Sequence, residues 1–147
     1  MKDQITLAEV TYKIIDFFKS HGEIAQVAYG DESVFEGSAD TSYPLAYIEA
    51  DTSTMGLGQD VYTLSISVWD RPMDDRSDLL NIQSKTRMIL SDLRVEFVRN
   101  ENAYILAEDT FDLTPLKHVK NDRVVGWLVT VSFDAKGFVD RCRIPNK

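Results

Sequence analysis

The block from Tyr43 to Leu93 limits the possible folds more than any other part of this chain. Within it, residues 61–69 alternate between apolar and polar side chains, which is typical of a strand with one buried face. The apolar face carries Tyr62, Leu64, Ile66 and Val68, and the polar face carries Thr63, Ser65 and Ser67. A first strand is predicted at Tyr43–Ala50, joined to the second by a polar, glycine-bearing loop at Asp51–Asp60.

A helical pattern follows the strand-stopping sequence Asp70-Arg71-Pro72. Apolar residues recur every three or four positions as far as Leu93, which predicts an amphipathic helix with one buried stripe. Asp74 and Asp75 fall in the expected first turn of this helix, where the helix dipole favours negative charge. With Asp70 and Asp78 they form the densest acidic cluster of the chain. Paired carboxylates can hold Mg²⁺ or share a proton, but a helix start with Arg71 and Arg76 nearby is the favoured explanation.

The rest of the chain is predicted to supply another helix and several strands. Thr6 and Glu9 fit a capping box at the start of a helix that Gly22 is expected to end in a left-handed conformation. Further strands are expected at Ile24–Tyr29, Arg94–Phe97, Ala103–Ala107 and Val125–Phe133, and Pro115 makes Phe111–Leu116 an edge strand or a loop. This order predicts one α+β domain over residues 1–147, with a mainly antiparallel sheet and both helices packed on one face.

Side chains that carry chemistry are sparse in this sequence. Cys142 is the single cysteine, so it has no partner for an intramolecular disulfide, and no cluster of cysteine, histidine and aspartate has metal-ligand spacing. An enzyme is therefore the least favoured class, and no catalytic, cofactor or metal site is predicted. No apolar run approaches the roughly 20 residues that span a bilayer, and no signal peptide is evident, so a cytoplasmic protein is expected.

Charge is distributed unevenly along the chain. Residues 1–75 contain 14 acidic and 4 basic side chains, whereas residues 76–147 contain 10 acidic and 12 basic ones. No lysine or arginine occurs between Ser20 and Asp70, which makes that half a poor surface for nucleic acid. The imbalance has two explanations: it maintains solubility, or an acidic face meets a basic face on a neighbouring copy.

The pattern of the central block resembles that of a known family. Its pieces are Pro44-Leu45-Ala46-Tyr47-Ile48, the strand Thr63-Leu64-Ser65-Ile66-Ser67-Val68-Trp69, and the helix that runs through Leu93. They resemble the centre of the tail terminator (tail completion) proteins of long-tailed bacteriophages. There a "P-x-[IV]" strand leads through a variable loop to a "[TS]-[LVI]-x-[VIL]-x-[VI]-W" strand and then to a helix with a leucine-rich end.

This resemblance implies a structural virion protein without enzymatic activity. Such proteins form a ring, usually of six copies, on the last ring of the tail tube protein, where they stop polymerisation and present a docking surface to the capsid neck. The implied partners are other copies, the tube protein and a neck or head-completion protein, with no membrane and no sequence-specific nucleic acid. The implied location is the head–tail junction of the virion, after assembly in the host cytoplasm. The alternatives are another head–tail connector, such as a neck or stopper subunit, and a cytoplasmic oligomeric binding module.

A ring subunit needs contact surfaces, and several residues are candidates for them. Trp69 shares the polar face of its strand, so both a core position and an interface position are open for it. The candidate contacts lie in the loops at 30–42 and 51–60, beside the strand exit, and in the basic C-terminal segment. They are Val34, Phe35, Asp51, Met55, Leu57, Asp60, Trp69, Arg71, Arg141 and Arg143.

Overall fold

The computed structural model describes residues 6–35, 41–56, 58–99, 110–118 and 123–135. Their elements, in chain order, are α1 (Leu7–Ser20), β1 (Gln26–Tyr29), a 3₁₀ helix (Glu32–Phe35), β2 (Leu45–Gly56), β3 (Gln59–Asp70), α2 (Leu79–Arg99), β4 (Leu113–His118) and β5 (Val124–Ala135). The predicted α+β class is confirmed. The predicted strand at Ala103–Ala107 lies outside the described residues.

The strands form one sheet in the order β1-β2-β3-β5-β4. β1 pairs with β2 in parallel, whereas the β2–β3, β3–β5 and β5–β4 pairs are antiparallel, so the sheet is mainly antiparallel as predicted. β4 is an edge strand that contains Pro115, which agrees with the edge expected from its sequence.

The main core lies between the sheet and the two helices. Leu64, Ile66 and Val68 of β3 are fully buried in it, so the alternation in the sequence identified the buried face of this strand correctly. The helices contribute Val10, Ile14 and Phe18 from α1 and Ile89, Leu90, Leu93 and Phe97 from α2. Both helices therefore pack on the same face of the sheet, which confirms that prediction.

The start of α1 agrees with the sequence, and its end does not. The Thr6 side-chain oxygen accepts a hydrogen bond from the Glu9 backbone N–H at 3.2 Å, as an N-cap residue does. At the other end His21 is extended, with φ −77° and ψ 127°, and its N–H donates to the Phe18 carbonyl. Gly22 does not adopt a positive φ. The prediction of a left-handed glycine stop was wrong because the chain turns out of the helix one residue earlier.

The second helix begins later and ends later than predicted. It continues to Arg99, so the residues expected to form a strand, Arg94–Phe97, lie instead in its last two turns. The reason is Phe97, which occupies the next position of the buried stripe after Leu93 and packs edge-on against Phe133, with ring centroids 5.2 Å apart.

Asp74 and Asp75 precede this helix rather than occupy its first turn, because α2 begins at Leu79. The Asp75 carboxylate accepts from the Ser77 N–H at 3.0 Å, and Asp78 accepts from the Met73 N–H at 2.8 Å. These bonds hold a turn between β3 and α2. Local turn hydrogen bonding therefore accounts for Asp75, whereas Asp78 directly precedes α2 and its backbone carbonyl accepts from the Ile82 N–H at 2.9 Å, so the helix start explains Asp78.

The loop predicted at Asp51–Asp60 is largely paired strand. β2 continues to Gly56, β3 begins at Gln59, and Gly58 between them has a φ of 81°. Thr52 and Thr54 pair with Thr63 and Val61. Threonine and valine fit a pleated strand well, so cross-strand pairing extends the hairpin where the small polar residues had indicated a loop.

Candidate oligomerisation interface

The far end of the β2–β3 hairpin lies outside the core. We define the β2–β3 arm as residues 50–56 and 58–60. Every β2 residue from Ala50 to Gly56 is exposed, and Met55 has 89% of its surface open to solvent. Met55 pairs with Asp60 across the hairpin, so an apolar side chain and a carboxylate share one face of the arm. A methionine this exposed is typical of an adaptable binding surface.

One backbone edge of this arm is open. Among the described strands only β1 borders β2 on that side, and it pairs with residues 45–48 alone. In the described part of the chain, no strand lies beside residues 49–56 on this side of β2. On the other side β2 pairs with β3, with a register irregularity between Ala50 and Thr52. The opposite edge, β4, carries Pro115 and Lys117, which are residues that discourage strand addition.

The arm is also acidic. Asp51 is exposed and Asp60 half-buried, and no lysine or arginine occurs in the sequence between Ser20 and Asp70. Burial raises the pKa of Tyr62 at the base of the arm, and the carboxylates of Asp60 and Glu9 add to the effect. Three of the predicted contact residues, Asp51, Met55 and Asp60, are thus brought together on this arm. Leu57 lies outside the described residues.

Val34, Phe35 and Trp69 form a second buried cluster on the other face of the sheet. Each is less than one-tenth exposed, and the cluster also contains Leu45, Tyr47 and Val124. The Phe35 ring centroid lies 5.0 Å from that of Trp69, and the Trp69 Nε1–H donates to Ser67 Oγ at 2.8 Å. These side chains belong to the interior of their own chain, so the 3₁₀ helix, rather than a partner, covers Trp69.

The remaining predicted contacts lie elsewhere. The Arg71 guanidinium stacks over the Tyr43 ring, 5.2 Å from its centroid, just beyond the end of β3 that is remote from the arm. Arg141 and Arg143 fall outside the described residues. Arg71 is exposed as well, but it lies apart from the arm, so the arm is the exposed surface on which several of the predicted contact residues come together.

A second surface, on α2, was missed from the sequence. Leu80, Met88, Val95 and Val98 are all about half to three-quarters exposed. Because they recur at helical spacing, they form an apolar stripe on the outer side of the helix. The sequence does show a second set of apolar residues at helical spacing in α2. It was overlooked because the first set, which forms the buried stripe, is more regular.

Beside this stripe, a groove of about 280 Å³ runs between α2 and the start of β4. Its lining includes Arg87 and Arg94 from α2, seven residues apart and hence on one side of the helix, together with Phe111 and Leu113. The groove combines two guanidinium groups with an apolar wall.

A larger groove, of about 570 Å³, borders α1 and contains His21. His21 Nε2 lies 2.8 Å from Asp92 Oδ2, while its Nδ1 accepts a hydrogen bond from the Glu23 N–H. Both ring nitrogens are thus engaged in this arrangement. The pair therefore links α1 to α2 across the helix layer.

The described residues contain no group of three or more histidine, cysteine or acidic side chains that could hold a metal ion. In the same residues, no helix is both long enough and apolar enough to cross a membrane.

Comparison with known proteins does not assign this chain to a family. A scan against protein-family models found no matching family, and a search of curated proteins found no match. The case for a function therefore rests on the sequence pattern and on the surfaces of the chain itself.

Proposed function

We propose that this protein is a structural subunit of a bacteriophage tail, a tail terminator that forms a ring on the end of the tail tube. It stops tube polymerisation and offers the docking surface for the capsid neck, at the head–tail junction of the virion. The role is non-enzymatic, because the mechanism requires only complementary surfaces.

The main support for this proposal is the central block, Tyr43–Leu93, together with the exposed β2–β3 arm that forms part of it. The elements that resemble the terminator pattern, β2, β3 and α2, follow one another along the chain. They belong to one sheet and the helix layer that covers it, and α2 packs directly on β3 and β5. The variable loop of that pattern corresponds here to the β2–β3 arm, which stands outside the core. A rigid scaffold that holds an exposed arm suits a protein that works by contact.

The surfaces also suit assembly into a closed ring. A head-to-tail ring joins two different patches on each subunit, whereas a two-fold dimer joins one patch to itself. The acidic arm and the basic, apolar surface of α2 are two unlike patches on the same chain. Such unlike patches support a ring in preference to a symmetric dimer.

Tube elongation in vitro tests the proposed function. Purified tail tube protein from the same genome is polymerised with and without the chain, and tube length is followed by light scattering. We expect elongation to stop at a chain concentration that matches the number of tube ends, far below the concentration of tube protein.

Tubes that reach the same length with and without the chain would contradict termination. If the chain then bound only finished tubes without altering their length, a neck or stopper role would replace the terminator role. Gene order provides an independent check: tube-protein and tape-measure genes immediately downstream would favour a terminator.

A further inference from the structure

The acidic arm and the α2–β4 groove lie on opposite sides of the domain. In the sheet order β1-β2-β3-β5-β4, the open edge of β2 faces the β1 side, whereas β4 is the last strand on the other side. The groove lies on that second side, between α2 and the residues that lead into β4. Two different patches on opposite sides can join copies head to tail. Each copy then uses one patch to contact the copy before it and the other patch to contact the copy after it.

The chemistry of the two patches is complementary. The arm presents Met55 beside Asp60, with Asp51 exposed nearby. The groove presents Arg87 and Arg94 beside the apolar side chains of Phe111 and Leu113. Carboxylates opposite guanidinium groups, and a flexible methionine against an apolar wall, form the kind of contact that steers association and sets orientation.

The arm is poorly suited to bind another arm. Residues 49–60 include Glu49, Asp51 and Asp60 and no cation. Pairing the open edge of β2 with that of a second copy would bring the acidic segments at Glu49 and Asp51 of the two copies into one sheet, and like charges that face each other across strands are destabilising. The occupant that the charge favours is a basic surface, and the groove supplies one on the same chain.

We propose that the β2–β3 arm of one copy docks in the α2–β4 groove of the next copy, with Met55 against the apolar wall and the arm carboxylates facing Arg87 and Arg94. This inference rests on the proposed ring and names the two surfaces that join its subunits. Each copy gives one arm and receives one arm, so the contact repeats until the ring closes.

Two charge-reversed variants of the full chain test this contact. The arm variant carries Asp51→Lys and Asp60→Lys, and the groove variant carries Arg87→Glu and Arg94→Glu. The control variant carries Lys19→Glu and Arg123→Glu, which reverses two exposed cations outside the groove. Thermal unfolding monitored by circular dichroism verifies that each variant is folded, and sedimentation measures the association of purified copies without tube protein.

We expect each reversed variant alone to associate about tenfold or more weakly than wild type, since like charges then meet at the contact. A one-to-one mixture of the two should regain association. In that mixture an acidic arm again meets a basic groove, and a basic arm meets an acidic groove. The control variant should associate as wild type does, and raising the salt concentration should weaken wild-type association.

Failure of the mixture to regain association would overturn the inference, as would reversed variants that associate as well as wild type. Wild-type chain that stays monomeric at every soluble concentration would overturn it too. A groove variant that associates as well as wild type, together with an arm variant that associates only when it is mixed with a chain that has an acidic arm, would show arm-to-arm contact instead. If copies associate through arm and groove but tube growth is unchanged, the arm-to-groove contact stands and the proposed role as a tail terminator is wrong.

Discussion

Replacement of Trp69 by alanine tests whether the 3₁₀ helix belongs to the interior of its own chain. Trp69 is 8% exposed and packs edge-on against Phe35, with ring centroids 5.0 Å apart. Truncating a buried tryptophan costs about 3–5 kcal/mol of folding free energy. We take about 3 kcal/mol, because a single turn of chain covers the site. Ser67 Oγ loses the Trp69 donor but still lies 3.4 Å from the Tyr47 carbonyl, so this hydroxyl is not left without an acceptor.

In a chain of 147 residues, a loss of about 3 kcal/mol corresponds to a fall in Tm of about 10 °C. Urea unfolding monitored by circular dichroism measures the free energy without relying on tryptophan emission. Phe35→Ala should cost a similar amount, and the double variant should cost less than the sum by about 1 kcal/mol, because the two rings contact each other.

Leu80→Ala is the matched control for this series. It removes a large apolar side chain that is 76% exposed on α2, so its effect should stay within about 0.5 kcal/mol. A Trp69→Ala protein with unchanged stability but weakened association would refute the burial argument and return Trp69 to an interface.

Three further changes test local features of the fold. Thr6→Ala should lower stability by about 1 kcal/mol in a thermal melt, because it removes the oxygen that caps α1, whereas Ser84→Ala, at an exposed position within α2, should change it little. Gly126→Ala should prevent folding or lower the Tm sharply, because the added methyl group would overlap the Val68 carbonyl; a normal Tm would disprove this close approach. Burial, with added repulsion from nearby carboxylates, raises the pKa of Tyr47 to about 12, above its ordinary value of 10.0. The folded chain therefore binds the Tyr47 phenol proton more tightly than the unfolded chain does. The stability that results is present below pH 10 and is lost as the pH rises towards 12. In urea unfolding measured across this pH range, Tyr47→Phe should therefore lose less stability than wild type.

The elements that sequence predicted well are those with a long, regular period. β3 is the clearest case, because alternation is a local property that needs no knowledge of the partner strand. Leu64 and Ile66 occupy the core, and Thr63 and Ser65 the other face, as that alternation requires. The N-cap at Thr6 was predictable for the same reason, since it depends on residues three positions apart.

The elements that sequence missed depend on residues far apart in the chain. The extension of α2 to Phe97 is decided by packing on Phe133, and no local pattern distinguishes that turn from a short strand. Thr52 and Thr54 form a strand because Thr63 and Val61 lie beside them. Tertiary pairing overrides a turn-rich composition in such cases.

The candidate site shows the same division. The exposure of Asp51 and Met55 was predictable, because an acidic, glycine-bearing segment with an isolated methionine has little to bury. The burial of Trp69 was not predictable, because the residue that covers it, Phe35, lies in a separate turn. The basic groove required the structure, since Arg87 on α2 and Leu113 at the start of β4 line it together although they are far apart in the sequence.

Electron microscopy of tubes assembled in the presence of this chain tests the central claim most directly. The terminator account predicts short tubes that carry a single ring of chain copies at one end, with adjacent copies joined arm to groove. The arm variant should leave tube ends bare, and the Lys19→Glu, Arg123→Glu control should still form the ring. Tubes of unrestricted length with bare ends in the presence of the wild-type chain would contradict the account.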